Sequence, residues 1–171
     1  PCRCGCAADA AVTSECCSRR RGLARLTLRR LAGEGWRGDT FTASDIYIRV
    51  TYAGPAHGRP QVEGRTTTCW NNQRPRWGAP LELGVLDLVP EASCLRLEVW
   101  DEDRGWDDDL LGTCEVTLEA TGGGERRVVC FPAGGTLEFT YQLTCGPALG
   151  GAFCQDYVPR APEEVPKWPP G

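Results

Sequence analysis

Seven aspartates are concentrated in two segments of the chain, residues 36–45 and 100–112. They are Asp39, Asp45, Asp101, Asp103, Asp107, Asp108 and Asp109. Side chains two residues apart at a strand end point to the same side, so the carboxylates of Asp101 and Asp103 converge. Such crowding of negative charge is unfavourable without a cation, and calcium accepts many oxygen ligands in irregular geometry. A lone aspartate in a turn is usually only solvated, but seven in two loops favour a calcium site.

The elements that must hold these loops are strands, because apolar and polar residues alternate along most of the chain. In residues 45–53, for example, Ile46, Ile48, Val50 and Tyr52 fall on one face. Gly, Pro, Asn and Asp cluster between the alternating stretches, and no stretch predicts a helix of three turns. Eight short strands with polar turns predict an all-β fold, an eight-stranded antiparallel β-sandwich with disulfides. The predicted strands are 22–31, 45–53, 62–69, 80–86, 94–100, 111–118, 126–131 and 136–143.

Composition indicates one globular domain with short flanks. The 171 residues are 41% hydrophobic and 25% charged, with a net charge of −4. An acidic domain does not predict nucleic-acid binding, and no apolar run approaches the roughly 18 to 20 residues that span a bilayer. We expect a cysteine-rich lead (1–21), a domain body (22–145) and a Gly/Pro-rich tail anchored by a disulfide (146–171). The chain begins like a mature segment or a fragment.

Eleven cysteines indicate an oxidising compartment. Five lie in the lead: Cys2, Cys4, Cys6, Cys16 and Cys17. Six lie further on and can form three bridges: Cys69, Cys94, Cys114, Cys130, Cys145 and Cys154. Cys145 and Cys154 frame a Gly-rich turn, which predicts that they pair. The odd number in the lead implies that at least one pairs upstream; a zinc site there is the alternative, but its spacing matches no common zinc ribbon.

Four separated elements of the chain occur in the same order in calcium-binding C2 domains. They are Asp39 and Asp45 ahead of a strand, the Trp-Asn-Asn-Gln-Arg-Pro-Arg-Trp run of residues 70–77, Asp101-x-Asp103 after an apolar strand, and Asp109 before Leu110-Leu111-Gly112. Over residues 22–145 the chain therefore resembles C2 domains. The resemblance implies that Asp39, Asp45, Asp101, Asp103 and Asp109 are calcium ligands. It also suggests Asp107, Asp108 and the amide oxygen of Asn72 as further ligands, for two or three ions.

The resemblance narrows further to the perforin family. The cysteine-rich lead, the Val-Trp-Asp-x-Asp-x-Gly-Trp-Asp-Asp-Asp-Leu-Leu-Gly-x-Cys run and the Cys145/Cys154 tail look like the region that follows the growth-factor-like module of perforins. This implies a secreted protein stored in a cytotoxic granule. It also implies that the domain targets an upstream pore-forming domain, which assembles on the target membrane.

In perforin-like domains, aromatic residues on the calcium loops enter the membrane. Trp36 and Trp106 match those positions, whereas Thr40 and Arg104 stand where aromatics are familiar. Phe41 is expected to take over the role of the aromatic at Thr40, and Arg104 is expected to meet lipid phosphate. The resemblance implies a Cys114–Cys130 bridge and supports Cys145–Cys154. Cys69 and Cys94 are additional to the mammalian pattern, and we expect them to pair with each other.

Two other functional classes are alternatives to calcium-dependent membrane binding. A calcium-independent interaction module usually lacks the acidic ligands, whereas this chain keeps all five. A hydrolase is disfavoured because the sequence has a single histidine, His57, and no Gly-x-Ser-x-Gly motif. We therefore expect no enzymatic activity.

Overall fold

The computed structural model describes residues 20–36, 44–54, 60–103 and 107–158. The predictions for the lead at residues 1–19 and for the end of the tail lie outside these residues. The described residues form eleven strands. They are β1 (Leu23–Glu34), β2 (Ile46–Tyr52), β3 (Val62–Arg65), β4 (Arg76–Trp77), β5 (Leu81–Asp87), β6 (Cys94–Asp101), β7 (Asp109–Thr117), β8 (Arg126–Cys130), β9 (Thr136–Cys145), β10 (Leu149–Gly150) and β11 (Asp156–Tyr157).

Two antiparallel sheets make the sandwich. One has the order β3-β2-β6-β7. In the other, β1 pairs with β9, β9 pairs with β8, and the short strands β4 and β5 both pair with the remaining edge of β1. Counting β4 and β5 as one edge gives the eight positions predicted from sequence. The all-β, antiparallel fold is thus confirmed.

The core lies between the sheets and follows the period-two pattern. Ile46, Ile48, Val50 and Tyr52 of β2 are all fully buried, as the alternation predicts. Their partners are equally buried on β6 (Leu95, Leu97, Val99) and on β9 (Leu137, Phe139, Tyr141, Leu143). Within the described residues the helical segments are two 3-10 turns, Pro90–Ala92 and Pro132–Gly134. No helix among those residues is long and apolar enough to span a bilayer.

Two disulfides confirm their predicted pairings. Cys114 of β7 bonds Cys130 of β8 across a Cα–Cα distance of 6.4 Å, which ties the edge strands of the two sheets together. Cys145 bonds Cys154 at a Cα–Cα distance of 5.3 Å. The second bridge closes the segment that contains β10, and β10 pairs with β11 in a small hairpin that the sequence pattern did not predict.

The prediction that Cys69 pairs with Cys94 is wrong, because both are free thiols. Cys69 bridges to Ile46, at the start of β2. Cys94 precedes Leu95, which pairs with Tyr52 at the other end of β2. Ile46 and Tyr52 are six residues apart along β2, which is about 20 Å at the usual rise per residue. The two cysteines are therefore separated by about the same distance. A disulfide requires Cα atoms within about 7 Å.

Strand direction places four connections at one end of the sandwich, which we call the aspartate end. These connections are residues 35–45, 66–75, 102–108 and 131–135. The first three contain five of the seven aspartates and Asn72. Asp101 ends the strand that enters the third connection, and Asp109 begins the strand that leaves it. The fold therefore brings segments far apart in sequence to a common surface.

Candidate functional site

Three aspartates lie at the ends of neighbouring strands. Asp45 directly precedes Ile46, and Ile46 pairs with Asp101, the last residue of β6. Asp101 in turn pairs with Asp109, the first residue of β7. Paired residues on antiparallel strands have Cα atoms about 4.5–5.5 Å apart. The sheet register therefore brings the backbones of three aspartates close together at the aspartate end.

Backbone amides hold two of these carboxylates in place. Oδ1 of Asp101 accepts a 2.9 Å hydrogen bond from the backbone N–H of Asp45. Oδ1 of Asp45 accepts a 2.6 Å bond from the N–H of Asn71, in the second connection. The carbonyl of Asp45 accepts from the N–H of Glu102 at 2.8 Å. The network joins three of the four connections, so the orientation of the carboxylates is part of the fold.

Asn72 lies at the same end and is exposed. Its N–H donates to the carbonyl of Ser44 at 3.3 Å, which packs the second connection against the first. Its side-chain Oδ1 accepts from the N–H of Arg74 at 2.9 Å. An amide oxygen has two lone pairs, so this turn leaves one for a cation. The role of Asn72 as a ligand stays a prediction.

Asp108 is held by hydrogen bonds to both of its carboxylate oxygens. Its Oδ2 accepts a 2.6 Å hydrogen bond from the hydroxyl of Tyr47, and its Oδ1 accepts a 3.1 Å bond from the N–H of Asp103. The Tyr47 hydrogen bond is the main reason that the pKa of Asp108 lies below its usual value. Burial, followed by the bond to this carboxylate, raises the pKa of Tyr47 to about 12. Both oxygens of Asp108 thus organise the third connection.

Tyr47 is itself fixed on the outer face of the β3-β2-β6-β7 sheet. Its ring stacks on Trp100 with centroids 6.3 Å apart and planes 5° from parallel. The guanidinium of Arg65 lies over the Tyr47 ring, 3.7 Å from its centroid, a favourable cation–π contact. Arg65 also approaches Glu102 at 4.0 Å, and Glu102 accepts a hydrogen bond from Thr68. These contacts hold the start of the third connection against the outer face of the sheet.

The structure corrects the prediction that Trp36 contacts a membrane. Trp36 is 4% exposed and belongs to the core. Its indole N–H donates a 2.9 Å hydrogen bond to the carbonyl of Pro132. Glycines at positions 33 and 135 leave the space that the ring fills, since a Cβ at Gly33 would lie 2.1 Å from it. Trp36 therefore secures the fourth connection to the first.

Four predicted site residues, Asp39, Phe41, Arg104 and Trp106, lie outside the residues that the structure describes. Among the residues it does describe, no three Asp, Glu, His or Cys side chains are grouped closely enough to hold a metal ion. The donors that it does place at this end are carboxylate and amide oxygens, the chemistry that calcium selects. The donor chemistry of the described residues therefore fits calcium, and the ligand set stays a prediction.

Sequence reasoning missed three exposed hydrophobic side chains at or next to the aspartate end. Trp70 is 45% exposed, Leu110 44% and Phe131 73%. Trp70 lies in the second connection, Leu110 follows Asp109, and Phe131 opens the fourth connection. Counting antiparallel strands would have placed residues 131–135 at this end, because every second connection falls on the same side.

The chain is similar to known proteins over most of its length. A family model described as "C2 domain" matches residues 24–132. Human Perforin-1 is 42% identical over 160 residues, which cover 94% of this chain and 27% of that protein. Mouse Perforin-1 is 36% identical over 159 residues, with 93% and 27% coverage. The chain thus spans about a quarter of the length of these relatives.

Solved structures agree with the fold. A structure of a C2 domain is 32% identical with a TM-score of 0.55, and the match covers 71% of this chain and 98% of that one. The C2A domain of plant Extended Synaptotagmin 1 has a TM-score of 0.61 at 17% identity, with 74% and 97% coverage, and supports the fold alone. With the sandwich, the strand-end aspartates and the matching family model in agreement, the chain belongs to the C2 domain family.

Proposed function

We propose that this domain binds phospholipid membranes when calcium occupies the aspartate end. The observation that carries the proposal is the register that places Asp45, Asp101 and Asp109 on adjacent strand ends. Aspartates gathered at one end of the sandwich concentrate negative charge there, and a divalent cation relieves the resulting repulsion. Membership of the C2 family and similarity to Perforin-1 support the same function.

The proposed ligands divide by how the fold presents them. Asp45, Asp101 and Asp109 stand on strand ends, and Asp39 and Asp103 complete the set from the loops. Asp107 and the Asn72 amide oxygen are proposed as further donors for two or three ions. Asp108 was predicted as a ligand as well, but its contacts with Tyr47 and Asp103 assign it first to loop positioning.

Calcium changes the charge that this end presents to lipid. Without calcium the seven aspartates repel anionic headgroups. Two or three ions add about four to six positive charges, which brings the surface close to neutrality. Lipid phosphate oxygens then complete the coordination of ions that the protein leaves partly open, so calcium and membrane bind cooperatively by linkage. The expected intrinsic calcium affinity is weak, about 10⁻⁴–10⁻³ M, as in extracellular modules.

Side chains on the loops add apolar and phosphate contacts. Trp106 and Phe41 are proposed to enter the interface, where aromatic rings bury apolar area at headgroup level. Arg104 is proposed to pair with a lipid phosphate, a geometry that guanidinium groups favour. Trp36 is not part of this set because it is buried.

The role in a larger protein follows from the similarity to Perforin-1. We propose that the domain targets a perforin-like, pore-forming protein to the membrane of a cell that it lyses. In this proposal the parent protein is secreted from a cytotoxic granule and assembles on the target membrane through its pore-forming region. Acid in the granule would suppress calcium binding, because protons compete for the aspartates.

The test is vesicle co-sedimentation across a calcium titration at neutral pH, with phosphatidylcholine/phosphatidylserine vesicles. The matched variant is Asp101→Asn/Asp103→Asn, because asparagine keeps hydrogen-bond acceptors while removing charge. We expect calcium to drive the wild type onto vesicles and the variant to stay in solution up to millimolar calcium. Wild-type protein that ignores calcium would refute the proposal and favour a calcium-independent interaction module.

A further inference from the structure

Phe131 is the most exposed large hydrophobic side chain among the described residues. It is 73% exposed, whereas the other exposed side chains of this kind lie between 41% and 45%. It follows the last residue of β8 and opens the fourth connection at the aspartate end. Single exposed apolar side chains are common on protein surfaces, so the position of this ring gains meaning from the turn that holds it and from its place at the aspartate end.

The segment around Phe131 is tightly held. The carbonyl of Pro132 accepts hydrogen bonds from the Trp36 indole at 2.9 Å and from the N–H of Gly135 at 3.0 Å. Cys130 is bonded to β7 through Cys114. Ala133 packs so closely on Gly112 that a Cβ there would lie 2.5 Å from the Ala133 nitrogen. The ring is therefore presented outward by a fixed turn, which limits the entropy lost when it is buried.

One further apolar side chain lies next to this turn. Val129, two residues earlier in β8, is 42% exposed. Leu110 of β7 is 44% exposed, but it pairs with Trp100 and so lies on the outer face of the other sheet. Gly112, which contacts the turn, lies three residues along β7 from Asp109, about 10 Å at the usual strand rise. Phe131 and Val129 therefore lie along the edge formed by β7 and β8. They are close to the strand-end aspartates but slightly further from the tip of the aspartate end.

We infer that the domain docks on the membrane tilted toward the β7–β8 edge, with Phe131 entering the lipid interface as a further anchor. This inference rests on the proposed calcium-dependent docking. The edge is continuous with the aspartate end, so a tilt to this side brings Phe131 to the same lipid surface as the proposed calcium ligands. One protruding ring on a narrow turn suits a lipid interface, whereas a stable protein partner needs about 800 Å² per side.

The experiment measures affinity for phosphatidylcholine/phosphatidylserine vesicles at saturating calcium for wild type and Phe131→Ala. The control is Tyr157→Ala, which removes an aromatic side chain that is 41% exposed on β11, away from the aspartate end. We expect Phe131→Ala to weaken vesicle affinity about tenfold, the factor for about 1.4 kcal/mol. Tyr157→Ala should bind as the wild type does. Calcium affinity without vesicles should be unchanged in Phe131→Ala, because Phe131 does not belong to the proposed ligand set.

A second variant, Phe131→Trp, reports on depth directly. Brominated phospholipids should quench the fluorescence that this variant has in excess of the wild type. If the wild type binds vesicles in a calcium-dependent way and Phe131→Ala binds them with the same affinity, the tilted docking is wrong. The proposed function is then unaffected. A Phe131→Ala variant that loses only self-association would assign the edge to a second copy and also overturn it. Wild-type protein that ignores calcium would remove both proposals.

Discussion

The hydroxyl of Tyr47 donates a 2.6 Å hydrogen bond to Oδ2 of Asp108, although the two residues are 61 positions apart in sequence. Tyr47 belongs to a strand that is braced by Trp100 and Arg65, and Asp108 belongs to the third connection of the aspartate end. Oδ1 of Asp108 also accepts a 3.1 Å hydrogen bond from the N–H of Asp103. The sheet thereby positions two residues of the connection that carries proposed calcium ligands.

Tyr47→Phe should weaken calcium binding without touching a ligand. The variant removes one hydrogen bond to a carboxylate, so we expect calcium affinity to fall about tenfold, as for other outer-shell partners of metal sites. Stability without calcium should fall by about 1 kcal/mol. Isothermal titration with calcium and urea unfolding provide the two readouts.

The control for this variant lies on the same strand. Tyr52 donates its hydroxyl to the carbonyl of Asp87 at 2.7 Å, at the opposite end of the sandwich. Tyr52→Phe should lower stability to a similar extent and leave calcium affinity unchanged. Equal calcium affinities in both variants would mean that the Tyr47–Asp108 contact does not shape the site.

The same contact predicts a pH dependence of stability in calcium-free buffer. The pKa of Asp108 is lowered in the folded state, so its contribution is present above the unfolded value and is lost as pH falls through the folded value. The pKa of Tyr47 is raised from 10.0 to about 12, so its contribution is present below pH 10 and is lost between these values. The free energy of unfolding, measured across both pH ranges, should depend less on pH in Tyr47→Phe than in the wild type. Profiles that superimpose would contradict the coupling.

Asp45→Asn should separate charge from hydrogen bonding at the site. Asparagine can still accept the 2.6 Å bond from the N–H of Asn71, so the loop should keep its shape. Calcium affinity should fall at least about tenfold because a charged ligand is lost, and calcium-free stability should hold or rise because repulsion is relieved. Asp156→Asn, an exposed carboxylate at the other end, is the control. If both variants titrate like the wild type, Asp45 is not a ligand.

Trp36→Phe should affect folding rather than membrane contact. The variant loses the buried 2.9 Å hydrogen bond to Pro132 and leaves its carbonyl with one partner fewer, which costs about 1–3 kcal/mol. Denaturant unfolding should show this loss, while folded protein keeps its vesicle affinity at saturating calcium. A selective loss of vesicle affinity with normal stability would return Trp36 to the membrane-contacting set.

The free thiols predict a labelling pattern. Alkylation under native conditions followed by peptide mapping should modify Cys94, which is exposed, and leave Cys114 and Cys130 untouched. Burial and the nearby Glu115 raise the pKa of Cys94, so the reaction should be slow at neutral pH and faster in alkaline buffer. Protection of Cys69 and Cys94 that disappears only on reduction would show that they are bridged after all.

Alternation along the chain was enough to place all eight major strands, most clearly where one face is fully buried, as in β2, β6 and β9. Two-residue strands such as β4 carry no periodic signal and were missed. The cysteine prediction for residues 69 and 94 failed because counting cysteines gives no distance along the sandwich. Trp36 was misplaced because the resemblance to perforin-like domains assigned it to the aromatic residues of the calcium loops, whereas the glycines that accommodate its ring lie at positions 33 and 135.

The site itself was predictable in composition and only partly in arrangement. Residue type and spacing identified the aspartates, and antiparallel register explains why Asp45, Asp101 and Asp109 meet. Spacing could not distinguish Asp108 from its neighbours, since its role depends on a tyrosine on another strand. Phe131 was not predicted as a site residue because its turn carries no charged residue, and the site was identified from charge.

The most direct test measures calcium affinity of the same protein with and without phosphatidylcholine/phosphatidylserine vesicles, and vesicle affinity with and without calcium. If lipid phosphate completes the calcium coordination, each ligand must strengthen the other by the same factor. We expect vesicles to raise calcium affinity at least about tenfold in the wild type and to have no effect in Asp101→Asn/Asp103→Asn. Equal calcium affinity with and without vesicles would contradict calcium-dependent membrane docking.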